Sequence, residues 1–154
     1  FDLITQVCGR AGRGDTRGRA IIQTYSPENP VIEFAKKQDY EGFYESEIAY
    51  RKMFGYPPFS NIVCVSFSSA DEKSVKEACL KIEKKFKELF SGRDIKLFAS
   101  APSPLYKIKG RYRWRFWFKG EADSVTRELL RTLYFDFKSK TVKMAIMIDP
   151  VNMA

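Results

Sequence analysis

Two stretches of this chain bring together residue types that do chemistry, and in both the chemistry is that of phosphate. The first is Gln6-Val7-Cys8-Gly9-Arg10-Ala11-Gly12-Arg13-Gly14, which sets two guanidinium groups three positions apart in a glycine-broken run. A guanidinium is a planar fork of donors with a permanent charge, suited to the oxygens of a transferring phosphoryl group. Glycine lets the backbone approach a partner where a Cβ would collide. If the run opens or sits within a helix, Arg10 and Arg13 share one face; as composition alone, it reads equally as an Arg/Gly surface turn. The second stretch is Lys107 to Lys119, with Lys107, Lys109, Arg111, Arg113 and Arg115 at every second position and Ile108, Tyr112, Trp114, Phe116 and Phe118 in the alternate places. Period two places alternate residues on opposite faces of a strand. This predicts a hairpin turning around Gly110, with aromatics packed inward and a cationic comb outward. Trp117 falls on the basic face, where an indole can stack on an unpaired base or pack on another domain.

The totals exclude several classes. The 154 residues contain no histidine, and the three cysteines, Cys8, Cys64 and Cys79, are far apart. Cys/His metal sites are therefore excluded within this piece, and no disulfide framework is expected. Cys64 and Cys79 read as small buried hydrophobes. No serine or cysteine has a plausible catalytic partner, so the chain alone is predicted inactive. There is no membrane-length apolar run and no signal-peptide pattern, which predicts a soluble, cytoplasmic protein. The chain begins at Phe1 and runs directly into the arginine motif, and so reads as a piece of a longer protein. Residues 1–60 hold eight Lys/Arg against eight Asp/Glu, while residues 61–154 hold nineteen against eleven, so the whole net charge of +8 lies in the second part. That excess suits a nucleic-acid partner or a basic solvated surface.

The elements that would position these residues follow from periodicity. Ala20-Ile21-Ile22-Gln23-Thr24-Tyr25 reads as a short strand, ended by the prolines at 27 and 30. Helical segments are predicted from Val31 through Lys37 and, with Asp39 as N-cap, from about Tyr40 to Phe54. Gly55-Tyr56-Pro57-Pro58-Phe59 then reads as a stiff extended linker or an ordinary loop. The second part begins with a strand at Ile62–Phe67. Ser69 and Glu72 suggest a capping box for a helix whose stripe is Val75, Cys79, Ile82, Phe86 and Leu89. The lysines at 73, 76, 81, 84, 85 and 87 read as its solvated side. A strand at Ile95–Ala99 is expected to be broken by Ala101-Pro102-Ser103-Pro104. After the basic hairpin, Glu121 and Asp123 open a second amphipathic helix along Val125, Leu129, Leu130 and Leu133. On it Arg127 and Arg131 share a face that is plain surface or holds an acidic peptide. Val142–Ile148 is the last strand. The expected fold class is α+β, a β-α-β-β-α-β layer with both helices on one sheet face over residues 56–154, preceded by residues 1–55.

Several motifs then combine. Gln6 to Gly14, Ile21-Ile22-Gln23-Thr24-Tyr25-Ser26-Pro27-Glu28, Asp39-Tyr40-x-x-Phe43, Arg51-Lys52 with Tyr56-Pro57-Pro58-Phe59, Gly110-Arg111-Tyr112-Arg113 and Asp149-Pro150 resemble the C-terminal end of the primosomal replication-restart helicases, the PriA family. The first motif is similar to the last one of superfamily 2 helicases. The resemblance implies a parent that is an ATP-dependent helicase moving 3′ to 5′, recognising stalled forks and D-loops and starting primosome assembly. It implies that Arg13 is the arginine finger and that Arg10, Gln6 and Gly9 face the nucleotide. Residues 1–55 would close a RecA-like helicase lobe, and residues 56–154 would fold like a small-subunit ribosomal protein and contribute to branched-DNA binding. It further implies ATP with Mg²⁺ and an upstream Zn²⁺ region as cofactors of the parent, a nucleoid-associated location, and partners that include single-stranded DNA-binding protein, for whose acidic tail Arg127 is a candidate. Cys8 stands where the family often has alanine or serine, and Asn29 where histidine is common. The competing reading is a non-enzymatic basic adaptor that binds RNA or protein.

Overall fold

The computed structural model describes residues 1–11 and 18–151, and the chain divides into two units, Phe1–Met53 and Phe54–Ala154. The first unit contains α1 (Asp2–Arg10), α2 (Pro30–Lys37) and most of α3 (Tyr40–Phe54). Helix α2 starts because Pro30 brings a fixed φ to the first helical position and the Asn29 side chain accepts the Val31 N–H. It stops at Gln38, left-handed at φ 55, after which the Asp39 N–H turns back to the Phe34 carbonyl. Asp39 then caps α3, its Oδ1 accepting the Gly42 N–H at 2.9 Å, as its position predicted. A Cβ on Gly42 would stand 2.5 Å from the Asp39 carboxylate and 3.0 Å from the Phe34 ring, so a larger residue there would displace the capping side chain. The helices meet through Phe1, stacked on Phe43 at 4.8 Å, and Phe34, edge-on to Phe43.

Residues 20–25 do not form the expected strand. The segment makes no ladder with any described residue, and Ile21 and Tyr25 are exposed. β-branched residues suit a pleated surface, but a strand exists only beside a neighbour. Of the two readings of the double proline, the ordinary loop is the one found: the Phe59 N–H closes a turn onto the Tyr56 carbonyl, and the Pro57–Pro58 peptide within it is cis.

The second unit runs β1 (Asn61–Ser69), α4 (Glu72–Leu89), β2 (Ile95–Ile108), β3 (Arg111–Gly120), α5 (Ser124–Asp136) and β4 (Lys143–Ile148). The strands form one antiparallel sheet in the order β2-β3-β1-β4, the split β-α-β arrangement of ferredoxin-like folds. The expected α+β class and element order are therefore found. Val63, Val65 and Phe67 of β1 share a face with Phe116 and Phe118 of β3, and α4 and α5 cover it with Val75, Cys79, Ile82, Phe86, Leu130 and Leu133. Phe86 stands at the centre, stacked on Phe90 at 4.1 Å and packed against Phe116 and Phe118.

Three local expectations are corrected here. The N-cap of α4 is Asp71, which accepts the Ser74 N–H, because Ser69 is still paired with Tyr112 in the sheet; the Ser69 hydroxyl accepts from Asp71 instead. Strand β2 does not end at the prolines but passes them with register shifts between Phe98 and Ala101 and between Pro102 and Lys107. It lies at the sheet edge, where a residue with no N–H to donate is tolerated. On α5 the buried positions are Thr126, Leu130 and Leu133, while Val125 is exposed. Thr126 goes inside because its hydroxyl donates to the Glu121 carbonyl and accepts from Arg93.

Candidate nucleotide and nucleic-acid surfaces

Helix α1 carries Gln6, Gly9 and Arg10 at positions that share one face, and all three are exposed. The helix closes at the Ala11 N–H, which reaches the Cys8 carbonyl at 3.1 Å. A helix C-terminus presents carbonyls and a partial negative charge, so the positive potential at this end comes from the Arg10 side chain and not from backbone amides. A Cβ added to Gly9 would meet nothing within 4 Å, so nothing described in the chain needs glycine there, and the position is open to a partner that approaches the backbone. Arg13, with Gly12 and Gly14, lies outside the described residues. An apolar groove of about 460 Å³ on this unit is lined by residues that include Leu3, Ile4 and Val7 of α1 and Ile21 and Ile22.

The basic hairpin turns as expected, through Lys109 at φ 48 and Gly110 at φ 77. Two left-handed residues make the turn whose twist matches the flanking strands. The comb is not continuous, however. A two-residue turn pairs Ile108 with Arg111 and Lys107 with Tyr112, so equal spacing in sequence places Lys107 and Arg111 on opposite faces of the sheet. Lys107 lies on the Tyr112 side, its ammonium 3.1 Å from the tyrosine hydroxyl and 4.3 Å from the ring centre. Ile108, expected inside, is exposed on the Arg111 side. Arg111, Arg113, Arg115 and Trp117 do share the face opposite the helices, and Lys109 projects from the turn.

These cations already have work within the protein. Arg111 donates from Nη2 to the Ser68 carbonyl at 2.7 Å, and Arg113 and Arg115 are half-buried and engaged. Cys64 sits among them: burial pushes its thiol up, and Arg115 beside it offsets part of that shift. Trp117 stacks on Phe98 of the neighbouring strand at 3.8 Å and 10°, so Phe98 covers one face of the indole. Lys119 reaches the Phe54 carbonyl at 3.1 Å and lies 3.3 Å from the centre of the Tyr56 ring.

The positions of Arg127 and Arg131 on α5 also open onto a groove. Its volume is about 550 Å³, and it is lined by both arginines, Tyr134, Phe135 and the edge strand residues Ile146 and Ile148. The Arg127 guanidinium is oriented by the Ala122 carbonyl at 2.8 Å.

Sequence reasoning placed Asp123 at the start of α5 and Asp149 in a motif but missed the contacts by which each anchors the fold. Asp149, left-handed at φ 48, accepts the Ile62 N–H at 2.8 Å and the Asn61 side-chain amide at 2.6 Å. This fixes the end of β4, and only its place before Pro150 hinted at a turn. Asp123 caps α5 and also meets Arg93 at 2.6 Å, which with the Thr126 hydrogen bonds holds its carboxyl down to about 2. Arg93 carried no periodic signal that would have marked it.

Residues 52–151 match the family model described as "Primosomal protein N C-terminal domain". The chain is 35% identical over 151 residues to the replication restart protein PriA of Bacillus subtilis, covering 97% of this chain and 18% of that protein. It is 34% identical over 153 residues to the protein of that name from Chlamydia pneumoniae, covering 99% of this chain and 20% of the relative. The counterpart from Thermotoga maritima is 36% identical over 113 residues, covering 73% of this chain and 14% of the relative. The chain thus spans about a fifth of the length of the first two of these relatives. By the domain match over most of its length and by relatives this similar, the chain belongs to the PriA family and carries that family's C-terminal domain.

Proposed function

We propose that this chain acts in replication restart as the terminal part of an ATP-dependent DNA helicase moving 3′ to 5′, which recognises stalled forks and D-loops. The observation that carries the reading is the exposed face of α1, where Gln6 and Arg10 flank a glycine with open space above it, at the start of the Gln-Val-x-Gly-Arg-x-x-Arg run. Donors of this kind fit a triphosphate approaching from another lobe. ATP with Mg²⁺, held mainly by residues outside this chain, supplies the transferring phosphoryl group. Arg10 and Gln6 orient it from this side, and Arg13 meets the charge that develops on its oxygens. The second unit adds the DNA contact: Lys109 and Arg111 at the hairpin tip, with Arg113, Arg115 and Trp117 behind them and Lys107 on the opposite face. Single-stranded DNA-binding protein, with other primosome proteins, is the proposed protein partner, its acidic tail entering the groove beside Arg127. An upstream Zn²⁺ region and a cytoplasmic, nucleoid-associated location complete the reading.

Arg13→Ala in the intact polypeptide tests the nucleotide part. Turnover of ATP is expected to fall by roughly a thousandfold, the scale of an arginine finger, with fork affinity unchanged. Unaltered turnover would overturn the assignment and leave a basic adaptor domain.

A further inference from the structure

We infer that the helix layer of the second unit carries a separate groove for the phosphate backbone of nucleic acid, lying between α4 and the 136–142 segment that joins α5 to β4. This rests on the reading that the unit meets nucleic acid, but it assigns a surface other than the hairpin. The groove encloses about 560 Å³, and its polar lining includes Ser74, Lys81, Lys85, Lys138, Ser139 and Thr141.

The charges do not balance internally. Two acids line the groove, and both are matched: Asp136 pairs with Lys85 at 2.6 Å, and Glu77 faces Lys73 at 4.0 Å. Lys81 and Lys138 are exposed and make no ion pair or hydrogen bond with any described residue. Lys140 and Lys143 add two more charges along the same segment and its entry into β4, and Lys84 follows Lys81 on α4. On the hairpin face, by contrast, Arg111 already donates to the Ser68 carbonyl, and Arg113 and Arg115 each have an interaction within the protein.

The hydroxyls point to the same ligand. Ser139 Oγ accepts the N–H groups of Thr141 and Val142 at 3.3 and 3.0 Å, so its own hydrogen is left to donate outward. Lysine ammoniums and hydroxyl donors over a rigid floor are the usual equipment for a phosphate backbone, which needs charge and hydrogen bonds but no side-chain pocket. The floor is rigid because Ile82 and Val142 are core residues and Phe137 packs edge-on to Phe67.

The test is fluorescence anisotropy of the chain with forked and duplex DNA between about 50 and 300 mM salt, comparing Lys81→Gln/Lys138→Gln/Lys140→Gln with Lys109→Gln/Arg111→Gln. The groove variant is expected to bind at least tenfold more weakly at low salt. The slope of log affinity against log salt should fall by roughly two to three, at about 0.9 for each phosphate that is no longer neutralised. Unchanged affinity and slope in a variant with native circular dichroism overturns the groove, while the hairpin variant reports separately on the hairpin. Lysine acetylation of the unsubstituted chain gives a second measure, in which DNA should protect Lys81, Lys138 and Lys140. Equal labelling with and without DNA, or displacement of DNA by a polyglutamate peptide of matched charge and not by polyphosphate, also refutes the proposal.

Discussion

The two units place their apolar residues in opposite ways. Among the described residues 1–53, the buried apolar side chains are Ile32 and Ala35, while Leu3, Val7, Ile21, Tyr25 and Met53 are exposed. In the second unit the phenylalanines at 67, 86, 116 and 118 are almost wholly enclosed by one sheet and two helices. Both parts of the sequence show the hydrophobic periods of helices and strands. The difference is that only the second supplies, within itself, the surfaces those periods need. A pattern states which face seeks burial; it does not supply what covers that face.

The largest expected effect follows from this contrast. Phe86→Ala removes a ring with no exposure at the meeting point of Phe90, Phe116 and Phe118, and should cost the second unit about 3–5 kcal/mol. Phe43→Ala in the first unit removes one stacked and one edge-on neighbour at a half-buried position, and should cost about 1 kcal/mol. Both tryptophans, Trp114 and Trp117, lie in the second unit, so urea unfolding followed by tryptophan fluorescence reads that unit, and far-ultraviolet circular dichroism reads both. Equal losses for the two variants would break the comparison.

The same contrast explains what the sequence made legible. The stripe of α4, the alternation of β3 and the turn at Gly110 were readable because each is a local period whose partner lies within the same hundred residues. The strand expected at residues 20–25 failed because the partner that would make it a strand is not among the described residues. The comb failed in part for a geometric reason. Period two holds within a strand, but the two-residue turn reverses its parity, so Lys107 and Arg111 part company. The Arg93–Asp123 pair and the Asp149 clamp join residues 30 and 87 or more positions apart, with no period to announce them. The groove around Lys81 and Lys138 was illegible for a similar reason: each lysine reads as solvated until the fold sets the two elements side by side.

A smaller effect sharpens the account of how the second unit is fastened. The Asp123 carboxyl is held down to about 2 by Arg93 and by the Thr126 hydrogen bonds, against an unfolded value of about 3.9. Its folded pKa is depressed, so its contribution to stability is complete above the unfolded value and is lost as pH falls through 4 towards 2. The stability difference between the unsubstituted chain and Asp123→Asn should therefore be constant from pH 5 to 7 and shrink as pH falls below 4. A difference that stays constant down to pH 2 would show that Arg93 and the cap do not act through the charged carboxylate.

The smallest effect separates folding from function at a single residue. Lys109 is held left-handed at φ 48 in the hairpin turn, a conformation that asparagine adopts more readily than lysine. Lys109→Asn should stabilise the second unit by about 0.5 kcal/mol. The ammonium it removes is exposed at the hairpin tip, where the proposed function places it against DNA. If it meets one phosphate, the salt slope of fork binding should fall by about 0.9 even as the fold becomes more stable. A variant with higher stability and an undiminished slope would leave the turn to folding alone and move the search for DNA-binding groups to the helix layer.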